Sequence, residues 1–160
     1  MERKVDIVTI TNMIYPKDSK TNITHNVKID NDFDSLTIEF CYSPKKLLDM
    51  EKAKIYVEEG LDIFVPQEYR DDYKNDYGRW EDYTPLLNLV TLSLDDESDE
   101  YRGCAHRHSN NQIHIISNEF ASPGFIKGEI IKGIWKFVIN VHAVVTEQCE
   151  YQIKVTGRCK

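Results

Sequence analysis

The strongest structural signal in the sequence is the stretch IWKFVINVHAVV, residues 134–145. Every second residue of this stretch is apolar: Trp135, Phe137, Ile139, Val141, Ala143 and Val145. Because successive side chains of a β-strand point to opposite faces, this period of two places all six on one face. A row of that length predicts a central strand with Trp135 buried in the core.

Shorter stretches elsewhere show the same alternation. In residues 35–42 one face carries Leu36, Ile38, Phe40 and Tyr42. Residues 21–29, 90–94, 112–116 and 151–155 have the same pattern, and turn signals such as Ser122-Pro123-Gly124 separate them. Many short strands joined by turns are typical of all-β domains. The sequence therefore predicts an antiparallel β-sandwich or jelly roll of about eight strands.

Residues 44–85 interrupt this pattern with helical signals. Pro44 suits a first helical turn and Gly60 a C-terminus, and between them and just beyond lie apolar residues at helical spacing, Met50, Ala53, Val57 and Leu61. An aromatic stripe follows at spacings that place its rings on one helical face: Tyr69, Tyr73, Tyr77, Trp80 and Tyr83. We expect one or two helices inserted in a single domain that covers residues 1–160.

Composition narrows the class of protein. The 160 residues are 41% apolar and 29% charged, as in ordinary globular domains. The formal charge of −7 disfavours nucleic acid and anionic lipid as partners. No apolar run approaches the roughly 20 residues of a membrane span, and the first residues do not resemble a signal peptide. These features predict a cytoplasmic protein with reduced thiols, and the four cysteines form no CxxC pair.

Several groups of residues invite a chemical interpretation. His106 and His108 would project to one side of a strand and could share a metal ion with His142 or His114, but no HExxH motif or complete ligand set accompanies them. The acidic residues at positions 95–100 lack the glycine and spacing of an EF-hand loop and are typical of a solvated turn. Cys104 near His106 is a weak nucleophile–base pair, and GxSxG is absent. We expect no metal, no cofactor and no catalytic residue.

The aromatic stripe allows two interpretations. Its rings could stack on sugars or on a partner protein, as exposed aromatic side chains do at recognition surfaces. Alternatively they cap one sheet or the open end of the sandwich. Packing is the favoured interpretation, so we expect the rings of Tyr73, Tyr77 and Trp80 to be mostly buried.

Four segments carry a family resemblance: NLVTLSL at 88–94, YRG at 101–103, ASPGFIKG at 121–128 and GIW at 133–135. In this order they resemble the N-terminal β-sandwich domain of PHP-type metallohydrolases of the CehA/McbA-like family. The final strand of that domain corresponds to residues 151–155. A more distant similarity links the chain to the small jelly-roll domains that follow secreted peptidases.

The resemblance implies a non-catalytic domain that accompanies a metal-dependent hydrolase domain, either in the same chain or as a separate partner. The metal-binding HxH pair of that family lies in a different sequence context, so His106 and His108 are not that motif. The alternative is an independent carbohydrate- or small-ligand-binding module that uses the aromatic stripe. A more remote alternative is a small metal-dependent hydrolase. Sequence alone leaves open what is bound and whether the chain oligomerises.

Overall fold

The computed structural model describes residues 3–69, 79–105 and 109–159. In these residues, eight strands form two antiparallel sheets, with one α-helix inserted between the third strand and the fourth. The strands are β1 (Arg3–Ile14), β2 (Thr21–Ile29), β3 (Ser35–Ser43), β4 (Leu89–Asp95), β5 (Tyr101–Cys104), β6 (Asn111–Ser117), β7 (Gly133–Ala143) and β8 (Cys149–Cys159), and helix α1 is Met50–Phe64.

The strand order is that of a jelly roll. Sheet A has the order β1-β8-β3-β6, and sheet B has the order β2-β7-β4-β5. The connections from β1 to β2 and from β2 to β3 therefore cross from one sheet to the other, and the two sheets enclose a shared core. The predicted antiparallel sandwich of about eight strands with an inserted helix is confirmed.

Strand β7 is central in sheet B, between β2 and β4. Its inward side chains are fully or almost fully buried, as the alternation predicts: Trp135, Phe137, Ile139 and Val141. The indole Nε1 of Trp135 donates a hydrogen bond to the carbonyl of Ile131 at 2.9 Å. The predicted row is too long at its end, because β7 stops at Ala143 and the chain then buries Val144 rather than Val145.

Strand β6, at the edge of sheet A, has an unusual distribution of side chains. It buries Gln112 and His114 together with Ile116, and its other two isoleucines face solvent. The exposed fraction is 65% for Ile113 and 39% for Ile115. The imidazole of His114 packs on Phe125 with ring centroids 4.7 Å apart. The outer face of sheet A is therefore partly apolar along this strand.

Helix α1 begins later than the sequence predicts. Its N-cap is Asp49, whose side chain accepts a hydrogen bond from the backbone N–H of Lys52 at 3.0 Å. Pro44 does not start the helix, because residues 45–47 are extended and hydrogen-bond to residues 86–88 instead. Gly60 lies inside the helix rather than at its end. The predicted inward residues Ala53 and Val57 are buried, but Met50 is exposed.

Two contacts join parts of the chain that are far apart in sequence. The Nε2 of His25 on β2 lies 2.8 Å from the hydroxyl of Tyr151 on β8, so this pair connects sheet B to sheet A. In sheet A, β1 and β8 run side by side, and Arg3 lies opposite Cys159.

No helix in the described ranges is both long and apolar enough to cross a membrane.

Candidate functional site

The aromatic stripe does not form one helical face in the described residues. Tyr69 belongs to the short 3₁₀ helix Gln67–Tyr69, and Trp80 and Tyr83 belong to a second, Trp80–Tyr83. Tyr73 and Tyr77 lie outside the described residues. Since α1 ends at Phe64 and Pro66 follows, the periodic spacing of the rings spans separate short turns. In the described residues, Tyr69 therefore does not share a helix with Trp80 and Tyr83.

The exposure of the rings varies among the residues that the structure describes. Tyr69 is 57% exposed and Tyr83 is 36% exposed. Trp80 is partly buried beside α1, with the Nζ of Lys54 6.0 Å from its ring centroid. The expected burial concerned Tyr73, Tyr77 and Trp80, of which only Trp80 lies in the described residues, and its ring is partly buried. The short helix Trp80–Tyr83 contacts α1, outside the sandwich core.

The histidines that the structure describes occupy separate places. His142 lies on the outer face of sheet B, where its Nε2 is 2.9 Å from the hydroxyl of Thr91. His114 is buried on sheet A, with its Nε2 2.8 Å from the Oε1 of Gln112. His106 and His108 lie outside the described residues. Among residues 3–69, 79–105 and 109–159, no group of three or more potential metal ligands is close enough to hold an ion.

The two buried cysteines, Cys104 and Cys149, are poorly suited to nucleophilic chemistry. Cys104 is buried, with its Sγ 4.0 Å from the Thr91 hydroxyl, and burial raises the pKa of its thiol. Burial likewise raises the pKa of Cys149 to about 11. The thiolate is the nucleophilic form of cysteine, so these shifts keep both residues unreactive near neutral pH. All four thiols are free.

The acidic residues at 95–100 form a turn between β4 and β5, as expected. The Oδ1 of Asp96 accepts hydrogen bonds from the backbone N–H groups of Ser98 and Glu100, both at 3.0 Å. The Oδ1 of Asp99 lies 2.6 Å from the Nζ of Lys136. These carboxylate oxygens therefore bind the protein's own donors.

A buried arginine organises the end of the sandwich near this turn. The guanidinium of Arg102 lies 4.9 Å from the ring centroid of Trp135 and 3.5 Å from the Oδ2 of Asp96. Its Nη1 donates to the carbonyl of Glu129 at 3.2 Å. Gly128 lies against the guanidinium, where any Cβ would touch Nη2. We refer to Arg102, Trp135, Asp96 and Gly128 as the Arg102 junction.

Two glycines allow close backbone contact beside the Arg102 junction. Gly103 has φ +113° and Gly124 has φ +93°, conformations that side-chain-bearing residues rarely adopt. Their segments run together, and the N–H of Cys104 donates to the carbonyl of Gly124 at 2.9 Å. The Arg-Gly turn and the Pro-Gly loop singled out in the sequence are therefore in direct contact.

Asn88 begins one of the segments that carry the resemblance, but its role was not predicted: it is fully buried and connects three loops. Its Nδ2 donates to the carbonyl of Pro44 at 2.8 Å and to the Oγ1 of Thr146 at 2.7 Å. Its Oδ1 accepts from the N–H of Val145 at 2.7 Å. An isolated asparagine before a strand looks like a turn residue, and only the tertiary contacts show its role.

Two cavities lie side by side at one end of sheet A and share Ser117 and Arg158. The larger, about 710 Å³, is lined by acidic side chains and by Phe33 and Ile130. The smaller, about 500 Å³, lies on the outer face of the sheet. Within the part of the chain that the structure describes, no residue of the aromatic stripe and no histidine lines either cavity.

Comparison with known proteins adds little to this description. No protein-family model and no curated protein matches the sequence. A crystal structure of a protein from Sulfurospirillum deleyianum is similar at 11% identity, over 91% of this chain and 96% of that chain, with a TM-score of 0.33. Similarity at that TM-score supports no conclusion about fold or function.

Proposed function

We propose that this chain is a non-catalytic accessory domain of the kind that precedes the metal-binding barrel of PHP-type metallohydrolases. The observation that carries the proposal is the Arg102 junction. Residues 101–103, 121–128 and 133–135, which carry the resemblance, meet there. Because Arg102, Gly103 and Trp135 are buried, these segments specify a fold rather than a reactive site.

The chemistry of the described side chains supports a non-catalytic role. The thiols of Cys104 and Cys149 have raised pKa values. Asp96 and Asp99 are engaged with Arg102 and Lys136. The imidazole of His114 is buried beside Gln112, whereas His142 lies on the other sheet. A hydrolase needs a nucleophile or metal close to a base, and these residues do not supply that arrangement.

The first test is enzymatic. The purified chain is assayed with p-nitrophenyl phosphate and bis(p-nitrophenyl) phosphate in the presence of Mn²⁺, Zn²⁺ or Fe²⁺, and its metal content is measured. We expect no hydrolysis above the metal-only control and less than stoichiometric metal. Metal-dependent turnover that disappears in the double variant His106→Ala, His108→Ala would contradict the proposal and support the small-hydrolase alternative.

The second test is association. A PHP-type barrel whose own sandwich domain has been deleted is mixed with this chain, and binding is followed by calorimetry and gel filtration. We expect a complex, or recovery of barrel activity that the barrel alone lacks. If the chain neither binds the barrel nor changes its rate, the accessory role is wrong and an independent binding module takes its place.

One observation favours that second candidate, a carbohydrate- or partner-binding module. Tyr69 and Tyr83 remain exposed, as side chains that stack on a ligand must be. Tyr69→Ala and Tyr83→Ala are compared with the native chain on a glycan array and in thermal unfolding. Loss of a glycan signal at unchanged stability would support the module, whereas loss of stability would support packing.

A further inference from the structure

The smaller cavity is a groove across the outer face of sheet A, and the strand register explains its shape. Thr156 on β8 lies between Thr37 on β3 and Asp6 on β1, its partners in the two ladders. The short hydroxyl side chains of Thr37 and Thr156 form the floor of the groove. Longer side chains, including Lys154 and the opposing Glu39, rise around it. The resulting volume, about 500 Å³, is within the range of small-molecule sites, roughly 300–1,000 Å³.

One wall of the groove holds an aromatic ring on a rigid turn. Phe120 is 54% exposed, although three hydrogen bonds fix its backbone to Ser117. The N–H and the Oγ of Ser117 reach the Phe120 carbonyl at 2.7 and 3.0 Å, and the Phe120 N–H reaches the same Oγ at 3.0 Å. Because the backbone is fixed, a ligand that covers the exposed ring has to order only the Phe120 side chain and not the turn that carries it.

The same wall includes the outward-facing side of β6. Ile115 lines the groove opposite Thr37, and Ile113 follows it on the same face opposite Glu39. This strand exposes two isoleucines and buries Gln112 and His114, which reverses the usual choice for a half-buried strand. An apolar strip on that side of the groove is explained if a ligand covers it.

The groove carries charged side chains of both signs. Asp6 and Glu39 are acidic, and Lys4, Lys154 and Arg158 are basic. Because the two signs are mixed among the described residues that line it, the groove has no single-sign patch that would favour a strongly charged ligand. Lys154 lies 3.9 Å from Asp6, and Thr156 donates to the same carboxylate oxygen at 3.3 Å. The groove therefore offers both hydrogen-bond donors and hydrogen-bond acceptors close together. Such a surface suits a neutral ligand with many hydroxyl groups.

We infer that this groove binds a neutral saccharide. The sugar hydroxyls would exchange hydrogen bonds with Asp6, Glu39 and Lys154, and the C–H face of a ring would lie on Phe120. None of the stripe residues that the structure describes lines this site. The inference does not depend on the accessory role, because the groove and the Arg102 junction involve different residues.

The experiment is a titration of ¹⁵N-labelled protein, followed by amide chemical shifts. The probes are glucose, galactose, mannose, N-acetylglucosamine, cellobiose and maltose, with inorganic phosphate as the charged comparison. At least one neutral sugar should shift amides of β3, β8 and residues 115–120. We expect Phe120→Ala and Glu39→Gln to raise its Kd by about tenfold or more.

Two matched variants complete the design. Thr24→Val, on the exposed face of β2 in sheet B, should leave the Kd unchanged. Tyr69→Ala should also leave it unchanged, which separates the groove from the aromatic stripe. The inference is overturned if no neutral sugar shifts the groove amides at tens of millimolar, if phosphate alone does so, or if Phe120→Ala binds as tightly as the native chain while spectra show it folded.

Discussion

Polar side chains that are buried at the ends of the sandwich connect segments that the strands alone would leave apart. Arg102 is one of them, and it joins β5 to the acidic turn and to the chain that precedes β7. Asn88 does the same for loops at residues 44, 88 and 144–146. A buried polar group without a partner costs about 1–3 kcal/mol, so such residues fix a single arrangement of the loops.

Trp135 gives a direct test of the core at the scale of one residue. Its ring is fully buried under the Arg102 guanidinium. Trp135→Ala should lower the free energy of unfolding by about 3–5 kcal/mol, because it leaves a large cavity. Urea denaturation measures the change. The control is Ile134→Ala on the outer face of the same strand, which should cost less than about 1 kcal/mol. If both variants lost a similar amount of unfolding free energy, the register assigned to β7 would be wrong.

At the scale of elements, the clearest strands could be predicted and the helix only in part. Residues 134–143 show unbroken alternation, and residues 21–29 alternate except that His25 occupies one inward position; β7 and β2 form there. Strand β1 was not recognised, since a bulge between Asp6 and Val8 shifts its alternation. Pro44 resembles a helix start, but tertiary pairing with residues 86–88 keeps its neighbours extended. The sequence around Pro44 gives no sign of this pairing, because the partner residues lie about 40 positions later in the chain.

The candidate sites were harder to predict than the elements. The stripe was found as a pattern, but the exposure of its described rings depends on short 3₁₀ helices, of which Trp80–Tyr83 contacts α1. The groove combines residues from β1, β3, β6 and β8, which the sequence separates by more than 100 positions. Its floor consists of ordinary threonines. Only the strand order brings Thr37 and Thr156 together.

Gly60 tests the corrected position of helix α1. It lies within the helix, and a Cβ added there would meet no atom within 4 Å. Gly60→Ala should therefore raise helix stability by about 0.5–1 kcal/mol, since glycine loses more backbone entropy than alanine. Amide hydrogen exchange of residues 50–64 measures the local change. Gly124→Ala is the contrasting variant and should destabilise the protein, because φ at Gly124 is +93°. Weaker protection in Gly60→Ala would mean that Gly60 ends the helix.

At the scale of the whole molecule, the two sheets share one hydrophobic core, and the pair His25 and Tyr151 adds a polar contact between them. Burial lowers the pKa of His25 below its usual value of 6.5. The folded state therefore favours neutral imidazole more than the unfolded chain does. Its contribution to stability is complete above about pH 6.5 and is lost as the pH falls towards the folded-state pKa.

This coupling predicts a pH dependence that belongs to one residue. Between about pH 7.5 and pH 5, the urea midpoint of the native chain should fall more than that of His25→Gln, which retains a hydrogen-bonding group but does not titrate. Subtracting the two curves removes the contribution of the carboxylates. Parallel curves would show that His25 does not gain a lowered pKa on folding.

The pairing of Arg3 with Cys159 has a consequence for how the sandwich can be carried by other proteins. Neighbouring strands are about 5 Å apart, so the chain approaches and leaves the fold at almost the same point. A host protein could therefore hold the whole sandwich as an insert within a single surface loop, without spreading the ends of that loop. A domain attached ahead of β1 and a domain attached after β8 would likewise be joined to the sandwich at the same point, and they would compete for the same space.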